Sequence, residues 1–489
     1  MPSLPTSSST GVRIAGDRYQ WLAAWHGCVT ALRETDADLA NPVVSVGVEA
    51  TGAGNLDDVV LYRATPPHTY IQVKYAVDAS TPVGEHYLLA PSTSGGPSIL
   101  KKAAASWKKL AEAGDPVDLA LLSNRFPDPA DPLLSARDAR TGYLLPKAAL
   151  QGPGSKLGQA RARWAANAGI TEDELLTLLG VLRFDLGREP FRLQEHVALL
   201  MLAVGLRSDG AAIDQGVDWI ARQVRDGQRR LTLESIQHAV VGLGLDSAGP
   251  PRAVVSIATL VPDPVAGDAD YAIDWVECFE GASAFAKRRP RPPATWAQLQ
   301  QEIEGAPRSL PVGTSAVAIS GSVRLAPAFL TGAAFRMVTG IDVAVLQRGQ
   351  VWSSTATGPA PATAWTSYEI GQGEELAVAV AVATDLTEDV LEYLRAARIP
   401  VDRLLVVQPD GGPADSSIAN GAAAGAFAVA IRDRLRRESR NAARIHLFQA
   451  CPMGLSVLLG HRWNRLRPTI VYEDVHIDDG YEPAFHIDA

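Results

Sequence analysis

Cysteine is scarce: Cys28, Cys278 and Cys451 are the only three in 489 residues, and they lie far apart. That excludes a disulfide framework and a CxxC zinc site, and it fits a reduced, cytosolic setting. Long apolar runs are missing as well. A membrane span needs about 18 residues, and the longest candidate, Leu376 to Thr384, has the length of a strand. The start, Met1 to Thr10, lacks a basic segment followed by an apolar one, and reads as a short disordered tail, not a signal peptide. A soluble, cytoplasmic protein without a membrane partner is the expectation. Basic charge is not in excess either: Lys+Arg 45 against Asp+Glu 54 gives −9. A uniformly basic nucleic-acid binder is excluded, but a local basic groove is not.

What is present can fold. The chain is 47% hydrophobic and 20% charged, enough to bury real cores, and its length suggests two or three domains. Residues 16–38 have helical spacing, with Tyr19, Leu22, Trp25 and Val29 in three- and four-residue steps. Val43 to Val48 reads as a strand ending at Glu49. TGAGNLDD is a turn, Asp58 to Tyr62 a second strand, and Tyr70 to Tyr75 a third. A helix over Ser98 to Ala113 and a strand over Val117 to Ser123 follow. Segments 171–182, 191–206, 212–225 and 231–243 are helical in pattern. AFAKRRPRPPA (284–294) is the clearest linker, which puts the main boundary near 290. Beyond it, strands alternate with helices, which argues an α/β architecture with a largely parallel sheet.

The chemistry of the first half centres on Glu49, Asp58 and Gln72-x-Lys74. Glu49 ends one strand and Asp58 starts the next. Gln72 and Lys74 are two apart on a third, so both point to one face. Two carboxylates at a sheet end can hold a hard divalent cation, with the Val73 carbonyl as a further oxygen and Gln72 nearby. Such an ion activates water and stabilises charge on a phosphate, and Lys74 can orient that water. Asp57 is the weaker ligand candidate. The plainer reading is that acids are common in turns and a strand lysine is ordinary. Against it, polar residues at alternating positions inside YIQVKY cost stability unless a site pairs or wets them.

GDRYQ (16–20), VEATGAGNLDDVVL (48–61) and YIQVKY (70–75) together resemble the restriction-endonuclease-like nuclease domains, of the PD-(D/E)xK superfamily, found in bacterial antiphage effectors. The match covers about residues 11–125, with a helical extension to 289. It implies a mixed-sheet nuclease fold, Mg²⁺ or Mn²⁺ as cofactor, and a contribution from Gln20 on the first helix. The departure is Gln72, where the usual motif has an acid, which leaves the metal fewer charged ligands. Lys101, Lys102, Lys108 and Lys109 can contact phosphate or form a solvated helix face. Arg222, Arg225, Arg229 and Arg230 can form a second phosphate track or an ordinary basic surface.

After residue 300 the sequence has no GxSxG elbow and no metal-ligand spacing. It does place loops after strands: Ser320-Gly321-Ser322, Thr384-Asp385, Gln408-Pro409-Asp410 and Gln449 to Pro452. Ligands bind at such carboxyl ends in open α/β sheets. GSVRLAPAFLTGAAFRMVTG, ELAVAVAVATDLTEDVLEYL and RIHLFQACPMGLSVLLGHRWNRLRPTIVYE resemble a SAVED domain, a fusion of two CARF-like Rossmannoid halves that senses cyclic oligonucleotides. The second domain is accordingly expected over 296–489. The resemblance puts Ser320, Arg324, Thr384 and Gln449 near a cyclic di- or trinucleotide, with Phe335, Trp352 and Pro452 lining its bases. Phe335 in an apolar helix and Trp352 under a loop also suit a core.

A nuclease fused to such a sensor resembles effectors of the cyclic-oligonucleotide-based antiphage signalling system, CBASS. The resemblance implies a partner nucleotidyltransferase that makes the signal, ligand-induced homo-oligomers, and cleavage of double-stranded DNA in abortive infection. Glu49, Asp58 and Lys74 do not themselves name the substrate. A sensor-gated ribonuclease, a ring nuclease, and a non-enzymatic cyclic-nucleotide-binding scaffold are the alternatives.

Overall fold

The computed structural model describes residues 9–50, 56–92, 95–112, 114–246, 249–476 and 480–488. Most of the expected N-terminal tail, residues 51–55 of the expected glycine-rich turn, and Ala113 lie outside them. The chain divides into two compact units, Met1–Gly249 and Pro250–Ala489.

The first unit opens with a helix, Ser9–Asp36. Its expected apolar positions are all buried: Tyr19, Leu22, Trp25 and Val29. Six strands follow: β1 Val43–Val48, β2 Val59–Arg63, β3 His68–Lys74, β4 Val117–Ser123, β5 Leu182–Leu186 and β6 Arg230–Thr232. The sheet order is β5-β4-β3-β2-β1-β6. β1, β2 and β3 form an antiparallel meander, β3, β4 and β5 run parallel, and β6 closes antiparallel on β1. The result is a mixed sheet with helices. The helices expected between 171 and 243 are present as Glu172–Val181, Pro190–Ala203, Gly210–Arg225 and Leu233–Gly242. Trp219 meets Trp25 edge-on at 6.1 Å, so the third of these packs on the first helix. The helical region therefore belongs to this unit's core.

The second unit has two sheets. One has the order β11-β10-β9-β7-β8, built from β7 Ala253–Ala258, β8 Tyr271–Asp274, β9 Ala316–Ser320, β10 Asp342–Gln347 and β11 Gln350–Ser353. The other has the order β12-β14-β13-β15-β16-β17, from β12 Thr363–Glu369, β13 Glu375–Ala381, β14 Val401–Pro409, β15 Ile445–Ala450, β16 Thr469–His476 and β17 Gly480–Ile487. The inner strands of both are parallel. After its first residue β13 is buried along its whole length, as a strand covered on both faces must be. One core cluster joins residues of both sheets.

Two helices, Leu325–Ala334 and Met453–Arg462, cross in this core by way of glycines. A Cβ on Gly332 would run into the Val457 carbonyl, and one on Gly460 into the Phe329 carbonyl. The two backbones touch only because both side chains are missing.

This division differs from the sequence boundary near 290. β7 and β8 precede that point, yet β7 pairs directly with β9. The Pro- and Arg-rich run is also not a free linker. The Lys287 ammonium is buried and donates to the carbonyls of Val276 and Phe279, Arg288 holds Asp474 at 3.1 Å, and Pro290 bridges Phe279. Its basic side chains find buried carbonyls and a carboxylate, which composition alone does not show.

Candidate functional site

β1 ends at Val48, and the next residue, Glu49, has a left-handed φ of 48°. A non-glycine residue rarely takes that conformation, and strain of this kind concentrates at functional sites. The Glu49 N–H donates to the Asp58 carbonyl at 3.1 Å, and the Ala50 N–H to the Asp57 carbonyl at 2.9 Å. The end of β1 is thereby tied to the start of β2. Val59 stands opposite Ile71, so Asp58 arrives beside the end of β3, where Gln72 and Lys74 lie.

Asp58 is clamped. Its Oδ2 accepts from the Val73 N–H at 2.8 Å and from the Gln72 amide, and lies 4.0 Å from the Lys74 ammonium. Gln20, on the first helix, donates to the Asp58 carbonyl at 3.3 Å, so it holds the backbone and not the carboxylate. The Gln72 amide, the Val73 N–H and the Lys74 ammonium all converge on Oδ2. Glu49 is ion-paired with Arg229. The structure thus brings Gln20, Glu49, Asp58, Gln72, Val73 and Lys74 to one end of the sheet. Arg229 is the member that sequence reasoning left in a general basic region.

Burial pushes the Asp58 carboxyl above its ordinary range, against the pull of Lys74 and the Val73 N–H, while Asp57 and Glu49 push it further up. Burial likewise lowers Lys74. Asp58 opposes that shift and Lys102 adds to it. Asp57 is also raised, chiefly by burial. At 4.0 Å the lysine does not fully offset the desolvation of the carboxylate. Hard carboxylate oxygens short of positive charge suit a divalent cation.

A cavity beside the site is lined by Leu56, Gln72, Lys74, Lys102, Leu121 and Phe184. Lys102 therefore shares a wall with Lys74. Lys108 is taken up by Glu174 at 2.9 Å. Of the second basic region, Arg229 holds Glu49, and Arg230 donates to Ser45 and stacks over Tyr62. Lys108, Arg229 and Arg230 are each paired within the fold.

In the second unit, Ser320 ends β9, Thr384 is exposed in the loop after β13, and Pro452 caps the Met453–Arg462 helix. Gln449 in β15 is buried. Its Oε1 lies 2.9 Å from the Ser456 hydroxyl, which also lies 3.0 Å from the Leu325 carbonyl. The end of β15 is thereby linked to the start of the Leu325–Ala334 helix. Among the described residues, the Gln449 Nε2 is buried without a partner.

Arg324 is turned inward. Its guanidinium donates to the carbonyls of Lys287 at 2.6 Å and Phe285 at 3.2 Å. Phe335 and Trp352 are in the core, 0% and 4% exposed. Phe335 closes the Leu325–Ala334 helix and Trp352 lies in β11, and with both rings buried neither presents a wall to a ligand. Sequence reasoning also missed Glu473. It is 3% exposed and accepts from the Ala326 N–H at 2.8 Å, at the start of the Leu325–Ala334 helix. Burial raises its carboxyl to about 7. Its signal was an acid inside the apolar stretch TIVYEDV.

Residues 298–487 match the family model "SMODS-associated and fused to various effectors sensor domain", SAVED. The second unit therefore carries a C-terminal SAVED domain. CD-NTase-associated protein 4 of Enterobacter hormaechei subsp. hoffmannii (strain UCI 50) is 23% identical over 507 residues, covering 95% of this chain and 99% of that protein. Among solved structures, the Acinetobacter baumannii Cap4 SAVED/CARF-domain containing receptor with the cyclic trinucleotide 2'3'3'-cAAA is 14% identical with a TM-score of 0.40, over 100% of both chains. The Moraxella osloensis Cap4 receptor is 14% identical with a TM-score of 0.39, over 97% of this chain and 99% of that one. Among the described residues, no helix is long and apolar enough to cross a membrane.

Proposed function

We propose that the chain is a cyclic-oligonucleotide-activated, metal-dependent endonuclease of antiphage defence. Its first unit cuts double-stranded DNA and its second senses a cyclic di- or trinucleotide. The observation that carries this reading is the convergence of Glu49, Asp58, Gln72 and Lys74 at one sheet end, in a chain whose other unit matches a SAVED sensor. The relative's name, CD-NTase-associated, fits a partner nucleotidyltransferase that supplies the signal.

Glu49 and Asp58 are the residues that would hold Mg²⁺ or Mn²⁺, with the Val73 carbonyl as a further oxygen. When bound, the ion supplies charge stabilisation at the phosphate and an acidified water. The chain's own part is positioning. Gln72 and the Val73 N–H fix Oδ2 of Asp58, and Gln20 fixes its backbone. Lys74, its amine lowered by burial, orients the attacking water and takes up its proton more readily than an exposed lysine would. Lys102 adds positive charge for the scissile phosphate from the neighbouring wall.

On the sensor side, Ser320, Thr384, Gln449 and Pro452 approach the ligand from the carboxyl ends of the strands. Arg324 supports them by holding the 285–287 backbone. Phe335 and Trp352 act from beneath, as core. Ligand binding drives self-association of the chain, which raises the local concentration of nuclease units so that both DNA strands are reached.

The test is cleavage of plasmid DNA by the purified protein with Mg²⁺, with and without a panel of cyclic di- and trinucleotides, beside a structured RNA and the cyclic ligands themselves. DNA cutting that appears with one ligand supports the reading. Cutting of RNA or of the ligand alone replaces the substrate. No cutting by folded protein under any condition sinks it.

A further inference from the structure

We propose that Arg229 is a shared counterion: it holds the Glu49 carboxylate while the metal is away, and moves to a DNA phosphate when metal and substrate arrive. The inference rests on the nuclease reading of this site and names a positioning residue within it.

β6 brings Arg229 there. It pairs antiparallel with β1 through Ser45, Val46 and Gly47. The Val48 N–H then donates to the Arg229 carbonyl at 2.9 Å, which extends the pairing by one residue. The Arg229 backbone is thus fixed beside the last residue of β1 before Glu49. Its guanidinium pairs with the Glu49 carboxylate and lies 3.4 Å from the Glu49 carbonyl. The next residue, Arg230, points to the other face of the strand, where Ser45 and Tyr62 hold it. Only one of the two adjacent arginines reaches the carboxylates.

The pair is built to exchange. Arg229 and Glu49 side chains are 41% and 44% exposed, and ion pairs that open to solvent are weak. A divalent cation at Glu49 repels a guanidinium on the same carboxylate and offers the acid more charge. The displaced guanidinium, anchored by its backbone, remains within reach of whatever the metal binds. A phosphate takes its forked donors well. The exchange therefore couples two events of opposite sign. Arg229 opposes metal binding in the absence of DNA and favours DNA binding in the presence of metal.

The experiment uses the full chain as wild type, Arg229→Ala, Arg229→Gln and Asp58→Asn. Mn²⁺ affinity is measured by calorimetry without DNA, and affinity for a labelled duplex by anisotropy in Ca²⁺. Removing Arg229 is expected to tighten Mn²⁺ by about threefold to tenfold and to weaken duplex binding by about fivefold or more. A merely structural role moves both affinities the same way. Arg229→Gln keeps a polar side chain without the charge and serves if the alanine variant melts early. Unchanged or weaker Mn²⁺ binding in both Arg229 variants, with binding abolished in Asp58→Asn, overturns the counterion role and leaves the metal site standing. Absence of Mn²⁺ binding in the wild type overturns the metal site itself, and the inference with it.

Discussion

The side-chain amide of Gln72 and the backbone N–H of Val73 hold the same oxygen, Oδ2, of Asp58. Gln72 serves here as a clamp that costs the site no extra negative charge. Gln72→Glu replaces the donor by a second carboxylate against an acid already pushed up by burial. The variant is expected to melt earlier than wild type without metal, and to gain more from Mn²⁺. Thermal melts with and without Mn²⁺ measure both. An identical metal-induced shift in the two proteins would remove Gln72 from the site.

Lys74 is the group whose loss should separate catalysis from sensing. Lys74→Ala is expected to reduce DNA cleavage by about 10²-fold or more and to leave cyclic-nucleotide affinity unchanged, since the residue lies in the first unit. Cleavage assays and ligand calorimetry on one preparation decide it. Retained cleavage would sink the assignment of this site.

Gly332 and Gly460 let two core helices touch backbone to backbone. Replacing either by Ala forces the helices apart, which costs about 1–3 kcal/mol by overpacking. Denaturant melts of Gly332→Ala and Gly460→Ala should each show the loss. Because both glycines relieve one crossing, the double variant should lose less than the sum of the singles. Full additivity would show two independent defects.

The parts of this molecule that sequence reveals are those whose signal is local. The first helix shows its buried stripe at Tyr19, Leu22, Trp25 and Val29, and β13 shows an unbroken buried run. Glu49, Asp58, Gln72 and Lys74 are legible because one meander brings them together within a short stretch of chain. The rest depends on distant pairing. β5, LRFDL, interleaves Arg183 and Asp185 with its buried residues and so hides between helices. β6 has three residues, and its place is set by β1. Arg229 reaches Glu49 across 180 positions of sequence. The ligand-lining role of Phe335 and Trp352 comes from family resemblance, whereas their local surroundings already suit a core, where both rings lie. The helix crossing beside Phe335 depends on two glycines, Gly332 and Gly460, far apart in sequence.

Glu473 gives the sharpest pH prediction. Its carboxyl is buried and accepts a hydrogen bond from the Ala326 N–H, with Arg324, Arg288 and Asp474 nearby. Folding raises it from 4.5 to about 7, with burial as the first cause. Between those values the folded chain binds a proton that the unfolded chain has released, so the stability of the second unit falls as pH rises through that window. The cost is absent below about pH 4.5 and complete above about pH 7, where it approaches about 3 kcal/mol. Glu473→Gln keeps an acceptor for Ala326 and removes the titration. The variant should therefore gain on wild type from pH 5 to about pH 7 and level off by pH 8, measured by denaturant midpoints across that range. A constant difference between the two proteins over the whole range would mean that Glu473 stays in one protonation state, and that the positive charge of Arg324 and Arg288 outweighs its burial.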